Sequence, residues 1–111
     1  MGKYLFDQFS LLHFSVGVIA YFWGMDFKTW FVVHALFELL ENTPQGVKFI
    51  DENLTLWPGG KKAPDFLINS VGDQISAVLG FLLAQVLDEY GKKYGWADVS
   101  MYALPKTSEK N

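Results

Sequence analysis

The sequence predicts an all-α protein: an integral membrane bundle of about three transmembrane helices packed around a polar interhelical core. Three observations predict it. Half of the 111 residues are hydrophobic and 17% are aromatic, while charged residues make up 19%, below the soluble norm of about 25%. The apolar residues gather in three segments, at about residues 9–25, 29–42 and 65–87. Each segment repeats polar or small residues at helical spacing, so one face of each helix differs from the rest. The membrane domain then covers residues 1–88, with a polar loop at 43–64, and a polar C-terminal tail occupies 89–111.

In the first segment Ser10, His13, Gly17, Ala20 and Gly24 form one stripe, and Phe14, Val18, Ile19, Tyr21 and Phe22 fill the other faces. Small residues in a stripe let helix backbones approach closely in a bilayer. On a water-facing helix Gly17 and Gly24 would each cost about 1 kcal/mol relative to Ala, which favours membrane packing. His13 in the apolar run and the lack of a small-residue cleavage site argue against a secretory signal. A short connection follows, in which Asp26 or Thr29 can cap the next helix. It makes the first two helices antiparallel neighbours. Trp23 and Trp30 suit an interfacial aromatic belt.

The second segment holds the most informative stretch. His34, Glu38 and Glu41 stand at i, i+4 and i+7 and so share a face. They interrupt a run that opens with Trp30, Phe31, Val32 and Val33. A soluble helix turns Glu toward water, whereas this stripe reads as inward-facing. Pro44 and Gly46 end or bend the helix. In the loop, Trp57-Pro58-Gly59-Gly60-Lys61 reads as a turn with an interfacial Trp, and Lys61 and Lys62 are placed to meet lipid headgroups. It is not a phosphate-binding loop, because the G-x-x-x-x-G-K-[ST] pattern and a preceding strand are missing.

Asp65 after Pro64 is the expected N-cap of the third helix. Asn69, Asp73, Ser76 or Ala77, Gly80 and Ala84 form its stripe. The end of the tail, residues 105–111, reads as disordered.

Packing the three stripes together gathers His13, His34, Glu38, Glu41, Asn69 and Asp73. Ionisable groups in a bilayer cost about 2.5–3.5 kcal/mol each on insertion scales. They persist when they pair, are neutral or meet water. His34 with Asp73, or His13 with Glu38, could share protons. Three readings stay open: interhelical glue that fixes helix register, a metal site, and a carboxylate–His pair for catalysis or transport. The spacing H-x-x-x-E-x-x-E differs from H-E-x-x-H and from the E-x-x-H of di-iron bundles. The structural reading is preferred over the enzymatic one, so no catalytic residue, metal ligand or cofactor is assigned, and whether the protein is an enzyme stays open. The net charge is −3 and every basic residue is Lys, which sets nucleic acid aside as a partner. Without Cys there is no disulfide, thiolate ligand or cysteine nucleophile.

Glu41, then Asn42-Thr-Pro-Gln-Gly46, then Asp65, Asn69, Gly72, Asp73 and Gly80 resemble the VanZ-like family of small bacterial membrane proteins. Those proteins carry a Glu near a helix end, a polar loop, and a D-x-x-x-N-x-x-G stretch, matched here by Asp65, Asn69 and Gly72. That resemblance implies a site for a lipid or lipid-linked substrate, with Glu38, Glu41 and Asp73 at work. The wider run, from Phe37 to Thr43, Trp57 to Lys61 and Asn69 to Asp73, is similar to small membrane proteins of large DNA viruses of algae and protists. That resemblance implies an internal virion membrane beneath a capsid. The expected function is therefore structural. The protein would be a multi-pass membrane component that meets the lipid bilayer and capsid or other membrane proteins, with a homo-oligomer left open. The alternative is a VanZ-like enzyme or binding protein.

Overall fold

Capping residues and glycines divide the chain. The computed structural model describes residues 1–97, and these hold four helices: α1 (Ser10–Phe22), α2 (Phe27–Glu41), α3 (Pro44–Asn53) and α4 (Leu67–Tyr94). α1 stops just before Gly24, whose φ of 92° lies in the region that favours glycine. The Asp26 carboxylate then accepts from the Thr29 N–H at 2.7 Å and opens α2. The next start comes only two residues beyond Glu41. The Thr43 hydroxyl accepts from the Gly46 N–H at 3.0 Å, and Pro44 occupies the first turn, where its missing N–H costs nothing. The stretch expected as a polar loop at 43–64 thus carries α3. The expected cap of the last helix does not form, because the Asp65 carboxylate turns to the Gly2 N–H at 2.8 Å, and no side chain caps α4.

α1 lies along α4, and glycines set the distance. A Cβ at Gly17 would overlap the Ala77 carbonyl and crowd the Phe81 N–H; a Cβ at Gly80 would overlap the Phe14 carbonyl. Each helix therefore seats its glycine on the other's backbone. α2 joins them through the Trp30 indole, which donates to the Ala77 carbonyl at 3.0 Å. Ala20, Trp30, Ala77 and Phe81 form the apolar core, with Tyr21 and Met25 packed against it. The N-terminal segment straps over the start of α4: Phe66 N–H donates to the Gly2 carbonyl at 2.8 Å, and the Asn69 amide donates to the Tyr4 carbonyl at 2.8 Å. At the far end of α4 the Tyr21 hydroxyl donates to Asp88 at 2.6 Å, and Lys92 pairs with the same carboxylate at 3.4 Å.

This architecture corrects the expected bundle. The protein is all-α, but among the described residues only α4 is long and apolar enough to cross a membrane. α1, α2 and α3 have 13, 15 and 10 residues, so at about 1.5 Å per residue they fall short of a hydrocarbon core about 30 Å thick. The second segment, 29–42, matches α2 closely but is too short for a span, and the first ends at Phe22, short of the expected residue 25. With the three-span bundle go the multi-pass integral placement and the virion membrane. What stands is a small helical domain with much of its apolar surface exposed, including Leu11, Leu39, Leu40 and Leu67. α4 also continues to Tyr94, into the stretch expected as tail; residues 98–111 of that tail, including the end expected to be disordered, lie outside the described residues.

Candidate functional site

Polar stripes on α1, α2 and α4 meet inside the domain. His34, Glu38, Glu41, Asn69 and Asp73 are all buried, and His13 is partly so. Five of the six residues grouped from sequence lie in one array. The sixth, Asn69, faces the N-terminal strap, where its amide also donates to Asp7 at 3.2 Å.

The array can be followed atom by atom. The Gln74 amide donates through Nε2 to the Phe31 carbonyl at 3.0 Å. A carbonyl only accepts, so Gln74 Oε1 is fixed toward His34. The Nδ1 of His34 lies 2.7 Å from that oxygen and must donate, which leaves Nε2 with its lone pair in the neutral ring. His34 Nε2 faces His13 Nδ1 at 3.0 Å. His13 in turn reaches Asp73 Oδ2 through Nε2 at 3.2 Å and Glu38 Oε2 from Nδ1 at 3.6 Å. Of the two pairings anticipated, His13 with Glu38 is present, whereas Asp73 pairs with His13 instead of His34, and His34 turns to Gln74.

Burial sets the protonation of the array. It pushes the His13 imidazole down to about 4, with neighbouring His34 adding to the effect. It lowers His34 as well, against the opposing pull of Gln74. Burial raises Asp73 to about 7, and raises Glu38 to about 11 with the help of the Glu41 and Asp73 carboxyls. Near neutral pH the imidazoles are uncharged and Glu38 keeps its proton. No N–H reaches either oxygen of Glu38 within hydrogen-bond distance, nor Oε1 of Glu41. Buried polar atoms of this kind are uncommon and call for an explanation.

A second node sits beside the first. Lys61, expected to face lipid headgroups, is only 3% exposed. Its ammonium donates to Asn42 Oδ1 at 2.8 Å and to Asp65 at 3.1 Å, and lies 3.8 Å from Glu41. Asn42 also accepts from the Asp65 N–H at 2.7 Å and donates to the Glu38 carbonyl at 2.8 Å. Lys62 is the outward lysine, paired with Asp51 at 2.7 Å. Trp57, Pro58, Gly59 and Gly60 line a cavity together with Lys61.

That cavity measures about 790 Å³, within the usual range for small-molecule sites of about 300–1,000 Å³. Phe9, Leu12, Val16, Trp30, Val33 and Phe37 give it apolar walls, and His13, His34, Glu41, Lys61 and Asp73 give it a polar end. Two groups of side chains bring ligand atoms within 4.8 Å of one another: His13, His34 and Glu38, and Glu38, Asp65 and Asp73. The domain thus carries buried His, Glu and Asp groups that could coordinate a metal or a ligand. Gln74, Lys61, Asn42 and Asp65 were not placed in the cluster from sequence. Asn42 and Asp65 had a signal as members of the quoted VanZ-like pattern and Lys61 as the end of the Trp57–Lys61 loop motif, whereas Gln74 had none. Comparison with family models, with curated proteins and with solved structures finds no match to this chain.

Proposed function

We propose that the cavity binds an amphiphile, a lipid or lipid-linked molecule, and that the His/Glu/Asp array acts on its polar end. The observation that carries this reading is the division of the cavity: aromatic and aliphatic walls lead to one end where two imidazoles and buried carboxyls converge. A wholly polar ligand would leave the walls without a partner, and a wholly apolar one would bury the carboxyls against hydrocarbon. The exposed apolar surface supports it too, because such patches mark sites of interaction. The VanZ-like pattern of Asp65, Asn69 and Gly72 points to the same substrate class.

Two tryptophans, Trp30 and Trp57, line the cavity and supply the readout. A single-chain amphiphile brominated along its chain should quench them saturably, with one molecule bound per protein. Leu12→Trp fills the cavity from its wall and should weaken this quenching at least about tenfold, equivalent to about 1.4 kcal/mol. Quenching that rises without saturation, or that is unchanged by Leu12→Trp, contradicts the proposal.

A further inference from the structure

We infer that His13 Nδ1, His34 Nε2 and a carboxylate oxygen of Glu38 form a binding site for one divalent first-row transition metal ion. The inference deepens the cavity reading by supplying its reactive end, and rests on that reading only for what the metal would act upon.

Four features of the site carry it. Two donor distances suit one ion, the ring nitrogens 3.0 Å apart and His13 Nδ1 3.6 Å from Glu38 Oε2, and all three donor atoms lie within 4.8 Å of one another. Ligands about 2.0–2.2 Å from one ion, at tetrahedral or octahedral angles, lie about 2.8–3.6 Å from each other. Both imidazoles also have the outer partner that ligating histidines use, a carbonyl or carboxylate on the other nitrogen. For His34 it is Gln74 Oε1 at 2.7 Å, and for His13 it is Asp73 Oδ2 at 3.2 Å. Gln74 is itself held by the Phe31 carbonyl, so the His34 lone pair is aimed before any ion arrives.

The third feature is Glu38, which is 5% exposed, with no N–H donor on either oxygen; its carboxyl neighbours, Glu41 and Asp73, can only share its proton, so the ionised form has no donor. A cation on the His13 side of Glu38 supplies what those oxygens lack. Finally, the two facing nitrogens require something between them. Without a metal that is a proton on His13 Nδ1; with one, both lone pairs point at the ion and His13 donates from Nε2 to Asp73. Two imidazoles and one carboxylate favour Zn²⁺ or Fe²⁺ over Mg²⁺ and Ca²⁺, which take oxygen ligands. Because His13 and His34 line the cavity, the remaining coordination positions face a bound ligand.

The test uses the full chain without an affinity tag, stripped with chelator and titrated with Zn²⁺ by calorimetry and with Co²⁺ by absorbance. The chain contains only two histidines, so imidazole ligation has no other source. The expected result is one ion per chain, with Co²⁺ bands characteristic of nitrogen ligation and no comparable binding of Mg²⁺. Glu38→Gln matches the protonated side chain in shape and should leave the metal-free fold intact while weakening Zn²⁺ at least about 100-fold. Gln74→Ala should weaken it about 10–100-fold. Should His13→Ala or His34→Ala fail to fold, Glu38→Gln and Gln74→Ala decide the matter. Failure of the stripped protein to take up one equivalent, or Zn²⁺ affinity unchanged in Glu38→Gln, overturns the inference. Amphiphile quenching measured in chelator stands or falls separately.

Discussion

Lys61→Met is expected to destabilise the protein by about 3–5 kcal/mol, the usual cost of removing one partner from a buried ion pair. The lysine ammonium is the cation nearest Glu41 and Asp65, and it holds Asn42 in place as well. Methionine keeps much of the stem's packing but leaves the acids facing each other and Asn42 Oδ1 with one donor instead of two. The sign of a second change separates charge from packing. Glu41→Gln in the Lys61→Met background should recover part of the loss, because it removes a charge left without its counter-ion. Denaturant titration followed by circular dichroism gives both numbers. A loss below about 1 kcal/mol for Lys61→Met, as seen for exposed pairs, would mean that the lysine is not held inside.

Gly80→Ala carries the other large effect. At a free helix position this change stabilises by about 1 kcal/mol. Here the added Cβ meets the Phe14 carbonyl, a backbone group that cannot rotate away, so α1 must move off α4. The expected result is a loss of at least about 2 kcal/mol, the scale of overpacking in a tight core. Gly17→Ala should act in the same direction, since its Cβ meets the Ala77 carbonyl. Because both glycines lie in the α1–α4 contact, the double variant should lose less than the sum. Stabilisation by either substitution would contradict the close approach.

The helical stripes were legible in the sequence because period alone reveals them. Asn69, Asp73, Ala77, Gly80 and Ala84 recur every three or four residues and are buried together on α4. Ser10, Gly17 and Ala20 do the same on α1. The physical cause differs from the one first assigned. The small residues seat glycines on a neighbour's carbonyls, a need that exists with or without a bilayer. The convergence of His13, His34, Glu38 and Asp73 was also legible, since each sat on the polar side of its own helix. Partner choice was not. Nothing in the spacing says that Gln74, one residue past Asp73, crosses to His34, or that Asp65 abandons its helix for the Gly2 N–H. Lys61 misled for a similar reason. A lysine beside two glycines reads as a surface turn until Glu41, Asn42 and Asp65 are brought around it by the fold.

The span lengths were misread for a simpler reason. Length decides a span, and period does not report it. α1 stops at Phe22, just before Gly24 at φ 92°, and α2 covers the second apolar segment unbroken yet has only 15 residues, too few for a hydrocarbon core about 30 Å thick. Among the described residues only α4 is long enough.

Helices α1, α2 and α4 hold two neutral imidazoles nitrogen to nitrogen at the polar end of the cavity. Nitrogen-15 NMR of the metal-free protein tests it most directly. The expected spectrum shows His34 protonated at Nδ1 alone and a coupling across the hydrogen bond between His13 Nδ1 and His34 Nε2. Two independent rings with the Nε2–H tautomer of free histidine, and no coupling between them, would contradict it.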